Sequence, residues 1–202
     1  MKAALLPVCL FFAVAVSVCA ASEPNAIRNK LDSDKRIQGI PCARGTAWFY
    51  PDGALNECTL SRAATLGSVG VPRRSIVELW PNGAAHYVTI SRRALVGGYR
   101  VMGGTRASSS SAVVTTFYPS GKLRSVYLAV DQNIEGVPCR GGSAWNLLVD
   151  PANDTNYVEF FDDGKLKSCR LARDYEGYRN GQRLLLPLVT TSSDVVRTEP
   201  AQ

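Results

Sequence analysis

The one histidine of the chain, His86, is the residue whose side chain is most suited to acid–base chemistry. A general base also needs a nucleophile and an orienting carboxylate, and Glu78 is the single acidic residue between positions 66 and 130. A two-residue turn at Asn82-Gly83 would place His86 opposite Leu79, with Glu78 only diagonal to it. We therefore predict a surface or cross-strand histidine and no enzymatic activity.

Other candidates for chemistry have simpler interpretations. The run of serines at 108–111 follows glycines and is typical of a loop rather than of a catalytic serine. The segment DPANDTN (150–156) offers carboxylates that suit Ca²⁺, but its spacing matches no known calcium loop and indicates an acidic turn. Trp48 and Trp145 are expected to fill the core rather than to bind sugar. The sequence predicts no metal site and no cofactor.

Positive charge is concentrated in the middle of the 202-residue chain, whose formal net charge is +6. Residues 66–130 contain eight basic side chains and one acidic one. Six arginines form the predicted anion-binding set: Arg73, Arg74, Arg92, Arg93, Arg100 and Arg106. Since guanidinium groups fork onto phosphate and carboxylate, an anionic cell-envelope polymer is the expected partner rather than nucleic acid. The alternative is that these arginines only solvate the strands.

The N-terminus predicts export. One lysine precedes an apolar run that closes on small residues, which is the pattern of a signal peptide over residues 1–20, with cleavage after Ala20 or Ala21. No other segment could span a membrane, so we expect a secreted or periplasmic protein without a transmembrane span. Four cysteines remain after cleavage, and an even number in an oxidising compartment indicates disulfide bonds.

Four segments share one pattern around a glycine. Aromatic or large apolar residues stand three and four positions before the glycine, and apolar residues stand five and seven positions after it. The segments are TAWFYPDGALNECTL (46–60), IVELWPNGAAHYVTI (76–90), VTTFYPSGKLRSVYL (114–128) and YVEFFDDGKLKSCRL (157–171). This spacing predicts four β-hairpins that turn at the glycine.

Two of these hairpins belong to longer near-copies. GIPCARGTAW (39–48) and GVPCRGGSAW (136–145) each precede a hairpin that carries a second cysteine. If each copy keeps an equivalent bond, the disulfides are Cys42–Cys58 and Cys139–Cys169, and Cys58 faces the small Ala47. The rival pairing joins equivalent cysteines, Cys42 to Cys139 and Cys58 to Cys169.

The hairpin pattern resembles the MORN-type repeats, and more closely their bacterial antitoxin-like variants. The best matches are FYPSGKL (117–123) and FFDDGKL (160–166), and the resemblance covers about residues 39–173. The spacing between turn glycines is longer here than in that family. The resemblance implies binding or scaffolding and brings no fixed catalytic residues.

These observations predict an all-β protein in which four glycine-turn hairpins form a meander with two disulfides. A curved sheet, a small barrel and a propeller-like arrangement all satisfy the pattern. We expect a signal peptide (1–20), an N-terminal segment (21–38) with one short amphipathic helical turn, a hairpin domain (39–186) and a disordered tail (187–202). The expected function is a non-catalytic exported binding or scaffold module; the alternative is a secreted inhibitor or immunity-like protein that binds a partner protein.

Overall fold

The computed structural model of the chain describes residues 26–104, 113–142, 157–179, 182–186 and 195–197. These residues form strands and turns and contain no helix. The strands in chain order are β1 (Ile27–Leu31), β2 (Lys35–Ile37), β3 (Ile40–Phe49), β4 (Leu55–Leu60), β5 (Ala64–Leu66), β6 (Val69–Val71), β7 (Ile76–Leu79), β8 (Ala85–Thr89), β9 (Ala94–Val96), β10 (Tyr99–Val101), β11 (Val114–Phe117), β12 (Leu123–Tyr127), β13 (Gln132–Ile134), β14 (Val137–Cys139), β15 (Tyr157–Phe160), β16 (Leu166–Arg170), β17 (Tyr175–Arg179), β18 (Gln182–Leu186) and β19 (Val195–Arg197).

One antiparallel sheet of eleven strands runs through the described chain. Its order is β1-β3-β4-β7-β8-β11-β12-β15-β16-β19, with β2 paired to β3. Four long hairpins lie within this sheet: β3–β4, β7–β8, β11–β12 and β15–β16. Each is followed in the chain by a separate short hairpin, and the four short hairpins are β5–β6, β9–β10, β13–β14 and β17–β18. Among the described strands, β1 and β19 end the sheet without pairing to each other, so the meander is open and the barrel expectation is not met.

The four long hairpins turn through three-residue loops rather than the two-residue turns we expected. In the first, the Gly53 N–H donates to the Tyr50 carbonyl at 2.9 Å, and the Tyr50 N–H donates to the Ala54 carbonyl at 2.8 Å. Gly53 has a φ of +84°, the left-handed conformation that closes such a loop after a type I turn. Asp52 fixes the turn because its Oδ1 accepts the Ala54 N–H at 2.9 Å. The same backbone pair of bonds recurs at Trp80, Tyr118 and Phe161.

A β-bulge follows each of these turns. In the first hairpin Trp48 pairs with Glu57 and Phe49 pairs with Leu55, which leaves Asn56 without a partner in the ladder. The bulge explains why Leu55 and Cys58, two and five residues after the glycine, both reach the core, since a regular strand would place them on opposite faces. The equivalent bulged residues of the other three hairpins are His86, Arg124 and Lys167.

Hydrogen bonds from the turn aromatics join each long hairpin to the next. The Tyr50 hydroxyl donates to the Leu79 carbonyl at 2.6 Å, and the Tyr118 hydroxyl donates to the Phe160 carbonyl at 2.8 Å. Between them, the Trp80 Nε1 donates to the Phe117 carbonyl at 3.3 Å. In the first three long hairpins the aromatic residue three positions before the glycine is thus a contact with the next hairpin, a role that the spacing pattern alone did not reveal.

The core lies between the inner face of the long sheet and the short hairpins. Strand residues such as Val77, Val88 and Val126 are fully buried there, together with Val96 and Val101 of a short hairpin. Both predicted disulfides are present. Their Cα–Cα distances are 5.7 Å for Cys42–Cys58 and 5.6 Å for Cys139–Cys169, and Cys58 faces Ala47 as expected. Two disulfides are typical of a protein that folds in an oxidising environment outside the cytoplasm.

The ends of the described chain differ from the sequence prediction. The segment expected to form a helical turn contains β1 and β2, because the ladder with β3 outweighs the weak local helix signal. The sheet therefore begins at Ile27, before the boundary predicted at residue 39. Within the segment expected to be disordered, Val195–Arg197 pairs with β16, as its two valines favour. The predicted signal peptide lies outside the described residues. Within them, no helix is long and apolar enough to cross a membrane.

Candidate anion-binding site

Two connections at one end of the long sheet bring four of the predicted arginines together. Arg73 and Arg74 lie between β6 and β7, and Arg92 and Arg93 lie between β8 and β9. Ser91 joins the two connections, because its Oγ donates to the Arg73 carbonyl at 2.7 Å and its N–H donates to the Ser75 Oγ at 3.1 Å. Ser75 is fully buried. The backbones that carry Arg73 and Arg92 are therefore held side by side.

Arg74 adopts a backbone conformation that is uncommon for a side chain of its size. Its φ is +65°, which costs a non-glycine residue about 1 kcal/mol. Its N–H donates to the Leu60 carbonyl at 2.8 Å, which anchors the connection to the end of β4. The fold thus maintains a strained, exposed arginine where glycine would fit without strain, and such strain occurs most often at functional positions.

A fifth arginine, Arg62, adjoins these four, and the sequence analysis missed it because the charge block was drawn from residue 66. Ser61-Arg62 and Ser91-Arg92 stand at the same distance after Gly53 and Gly83, and this common offset could have revealed the match. Arg74 contacts the backbone at Leu60, two residues before Arg62. We call Arg62, Arg73, Arg74, Arg92 and Arg93 the arginine edge.

The arginine edge lacks internal counter-charge. All five side chains are exposed, and within the described part of the chain no carboxylate forms an ion pair with any of them. The outer connections of the same end differ. There Asp34 and Asp131 accept the backbone N–H groups of Arg44 and Gly141, both at 2.8 Å. Arg93 lies three residues after the last core residue of the strand before it. In the outer connections Asp34 and Asp131 lie at this same position. Arginines without a neighbouring aspartate are therefore grouped at the centre of this end of the sheet.

The other two predicted arginines are placed differently. Arg100 is exposed on β10, and its N–H donates to the Gln132 Oε1 at 3.0 Å. It therefore belongs to the adjacent short hairpin rather than to the connections. Arg106 lies outside the described residues. The segment that precedes it packs against Arg92. A Cβ at Gly103 would overlap the Arg92 carbonyl oxygen, so this close approach requires glycine.

His86 lies on the outer face of the sheet, and the bulge changes its surroundings from those we expected. Ala85, not His86, is opposite Leu79. The His86 Nδ1 lies 3.3 Å from the Glu78 Oε1, and the imidazole ring is 3.5 Å from the Trp80 ring, centroid to centroid. Its side chain is only 12% exposed. A packed cross-strand histidine fits this arrangement, and the absence of enzymatic activity remains a prediction.

Four residues form a row beside His86 that the sequence analysis did not single out. Trp48 pairs with Glu57, Glu57 with Glu78, and Glu78 with Tyr87, so two carboxylates stand side by side between two aromatic rings. Burial, with the charge of Glu78 as a second cause, raises the pKa of Glu57. Trp48 does not fill the core as expected. It is half-buried on this outer face, where the Arg28 guanidinium lies 6.0 Å from its ring centre.

Several other candidates of the sequence analysis lie outside the described residues: Trp145, the serine run at 108–111 and the acidic segment at 150–156. A scan of family models, a search of curated proteins and a search of solved structures each found no match to this chain.

Proposed function

We propose that the protein is an exported, non-catalytic binding module that holds an anionic cell-envelope polymer at the arginine edge. The observation that carries the proposal is the convergence of the two connections through Ser91, which gathers exposed guanidinium groups that have no ion-pair partner among the described residues. Guanidinium groups bind phosphate and carboxylate in a forked geometry, so regularly spaced anions of a polymer suit several arginines on adjacent loops.

The proposal includes secretion and a hairpin-repeat architecture of the MORN-like kind. The signal-peptide pattern and the two disulfides support an extracytoplasmic location. The common turn, bulge and inter-hairpin contact of the four long hairpins support repetition of one structural unit. In such a protein the binding surface is built from the same loop of successive units.

Binding of the oxidised mature chain to inorganic polyphosphate tests the proposal, with salt concentration as the variable. We expect binding at low salt that weakens steeply as salt rises, because exposed charges are screened within about 10 Å at 0.1 M. The double variant Arg73→Glu, Arg92→Glu should abolish binding. The matched control is Lys122→Glu, Lys165→Glu, which makes the same charge change on exposed lysines at the opposite end of the hairpins. Equal loss in both variants, or wild-type binding that does not depend on salt, would refute the arginine edge as the site.

The outer-face row favours a second candidate function, the inhibitor or immunity-like protein that binds a partner protein. Trp48 and Tyr87 flank two neighbouring carboxylates, and Tyr87 is 40% exposed. Aromatic residues are enriched at protein interfaces, and the carboxylates would suit a basic partner. An interface of this kind should lose affinity on Tyr87→Ala and should be much less sensitive to salt than polymer binding.

A further inference from the structure

A shallow cavity adjoins the arginine edge on the outer surface of the short hairpins. Its volume is about 360 Å³, and it is lined by residues of β5 and β6, the two connections that flank them, and the start of β9. The lining consists of small or apolar residues together with one threonine: Ala63, Ala64, Thr65, Gly70, Val71, Pro72 and Ala94.

The cavity exists because one strand position lacks a side chain. Gly70 pairs with Thr65 in the middle of the β5–β6 hairpin. Other residues stand at the position equivalent to Gly70, counted from the turn of each hairpin. They are Arg100 in the β9–β10 hairpin, Pro138 in the β13–β14 hairpin and Pro41 beside β2. A Cβ built at Gly70 would meet no atom within 4 Å, so the space above this residue is open.

Three members of the arginine edge are direct chain neighbours of lining residues. Arg62 precedes Ala63, Arg73 follows Pro72, and Arg93 precedes Ala94. Consecutive Cα atoms are about 3.8 Å apart, so the backbones of three exposed arginines lie at the rim of an apolar floor. Leu95, the next residue after Ala94, is 64% exposed, the most exposed large apolar side chain among the described residues.

We propose that this cavity and its rim bind a single-chain anionic amphiphile, with the anionic head on the arginines and the alkyl chain over Gly70. The inference rests on the proposed anion-binding function of the arginine edge and adds a ligand class that also occupies the neighbouring cavity. Burial of an alkyl chain on the apolar floor adds a hydrophobic contribution to the ionic contacts of the head, and a purely ionic ligand lacks this contribution. The rim charge selects a phosphate or carboxylate head over a zwitterionic one.

Binding of three probes distinguishes the contributions of head and chain: lysophosphatidic acid below its micelle concentration, glycerol 3-phosphate as the head alone, and lysophosphatidylcholine as the same chain with a zwitterionic head. We expect the oxidised mature protein to bind lysophosphatidic acid at least tenfold more tightly than either of the other two. The variant Gly70→Gln should reduce that affinity at least tenfold, because its side chain occupies the cavity. Gly70→Ala, the matched control, should change it less than threefold.

Polyphosphate binding separates failure of this inference from failure of the proposed function. Gly70→Gln should leave polyphosphate binding within twofold of the wild type, and this result also shows that the variant is folded. Should Gly70→Gln fail to fold, Gly70→Pro, which copies Pro41 and Pro138, supplies the test with an expected loss of several-fold. Equal affinity for lysophosphatidic acid and glycerol 3-phosphate would overturn the amphiphile site while polyphosphate binding stands. Absence of polyphosphate binding to the wild type would overturn the proposed function itself.

Discussion

Removal of the Tyr50 hydroxyl should destabilise the protein measurably, because that group joins two neighbouring hairpins. Tyr50 is 9% exposed, and its hydroxyl donates to the Leu79 carbonyl at 2.6 Å. Tyr50→Phe removes the donor, keeps the ring and leaves the carbonyl short of a partner. The expected loss is about 1.5 kcal/mol in the free energy of unfolding, the sum of a modest net hydrogen bond and part of the cost of a desolvated carbonyl. For a chain of this size the loss corresponds to a fall in Tm of about 3–6 °C.

Two other tyrosines provide graded controls for this measurement. Tyr118 makes the same contact with Phe160 at 2.8 Å but is only half-buried, so water can replace the lost bond and Tyr118→Phe should cost about 0.5–1 kcal/mol. Tyr87 is 40% exposed, and Tyr87→Phe should change stability by less than about 0.5 kcal/mol. Urea unfolding of the oxidised protein, followed by tryptophan fluorescence, measures all three. If Tyr50→Phe costs no more than Tyr87→Phe, the inter-hairpin bond does not stabilise the fold and the reasoning is wrong.

Three further predictions concern the arginine edge, the disulfides and the outer face. Arg74→Gly should raise the free energy of unfolding by about 1 kcal/mol by removing the strain of the +65° φ, and should weaken polyphosphate binding; a lower urea midpoint would contradict the strain argument. Loss of Cys42–Cys58 by a double alanine substitution should lower the free energy of unfolding by about 3 kcal/mol, and loss of Cys139–Cys169 should lower it by about 0.6 kcal/mol more. The difference arises because the two loops span 16 and 30 residues. The reverse order would refute a chain-entropy origin. Glu57→Gln should stabilise the protein at pH 7 and have no effect near pH 3.5. The folded-state pKa of Glu57 is raised, so between pH 4.5 and that raised pKa the folded protein holds more protons than the unfolded chain. The wild type therefore loses stability as the pH rises through this range. A gain from Glu57→Gln that is equal at both pH values would exclude this cause.

Local sequence patterns accounted for the elements of the fold and much less for their placement. The dipeptides Asp52-Gly53 and Asn82-Gly83 located hairpin turns because few other residues accept the left-handed conformation at the glycine. The same reasoning assigned the wrong loop length. A three-residue loop and the following bulge change the pairing next to the turn, so Ala85 takes the place opposite Leu79 that was expected for His86. A bulge depends on pairing with the opposite strand, and it leaves no distinct mark on the bulged strand itself.

The short hairpins show the same division between local signal and tertiary context. Gly39 and Gly136, in the near-copies that predicted the disulfides, have φ values of +84° and +86° in two-residue turns that the sequence analysis had not recognised. The residues before them, Gln38 and Glu135, also have positive φ, and their side chains accept the backbone N–H groups of Leu55 and Leu166 in the following long hairpins. These contacts cross 17 and 31 residues of chain, beyond the reach of any local pattern.

The amino-acid sequence by itself determined the all-β class and the glycine turns, because turn chemistry acts over a few residues. Its two near-copies favoured the local disulfide pairing, and the structure decided between that pairing and its rival. Only the tertiary structure decided which charges gather. Arg62 and Arg73 are separated by a short hairpin, and Arg73 and Arg92 by a long one, yet all three lie at one end of the sheet because each hairpin returns the chain to its starting point. That return, held by the hydrogen bonds of Ser91, converts a scattered basic composition into a single arginine edge beside an apolar cavity.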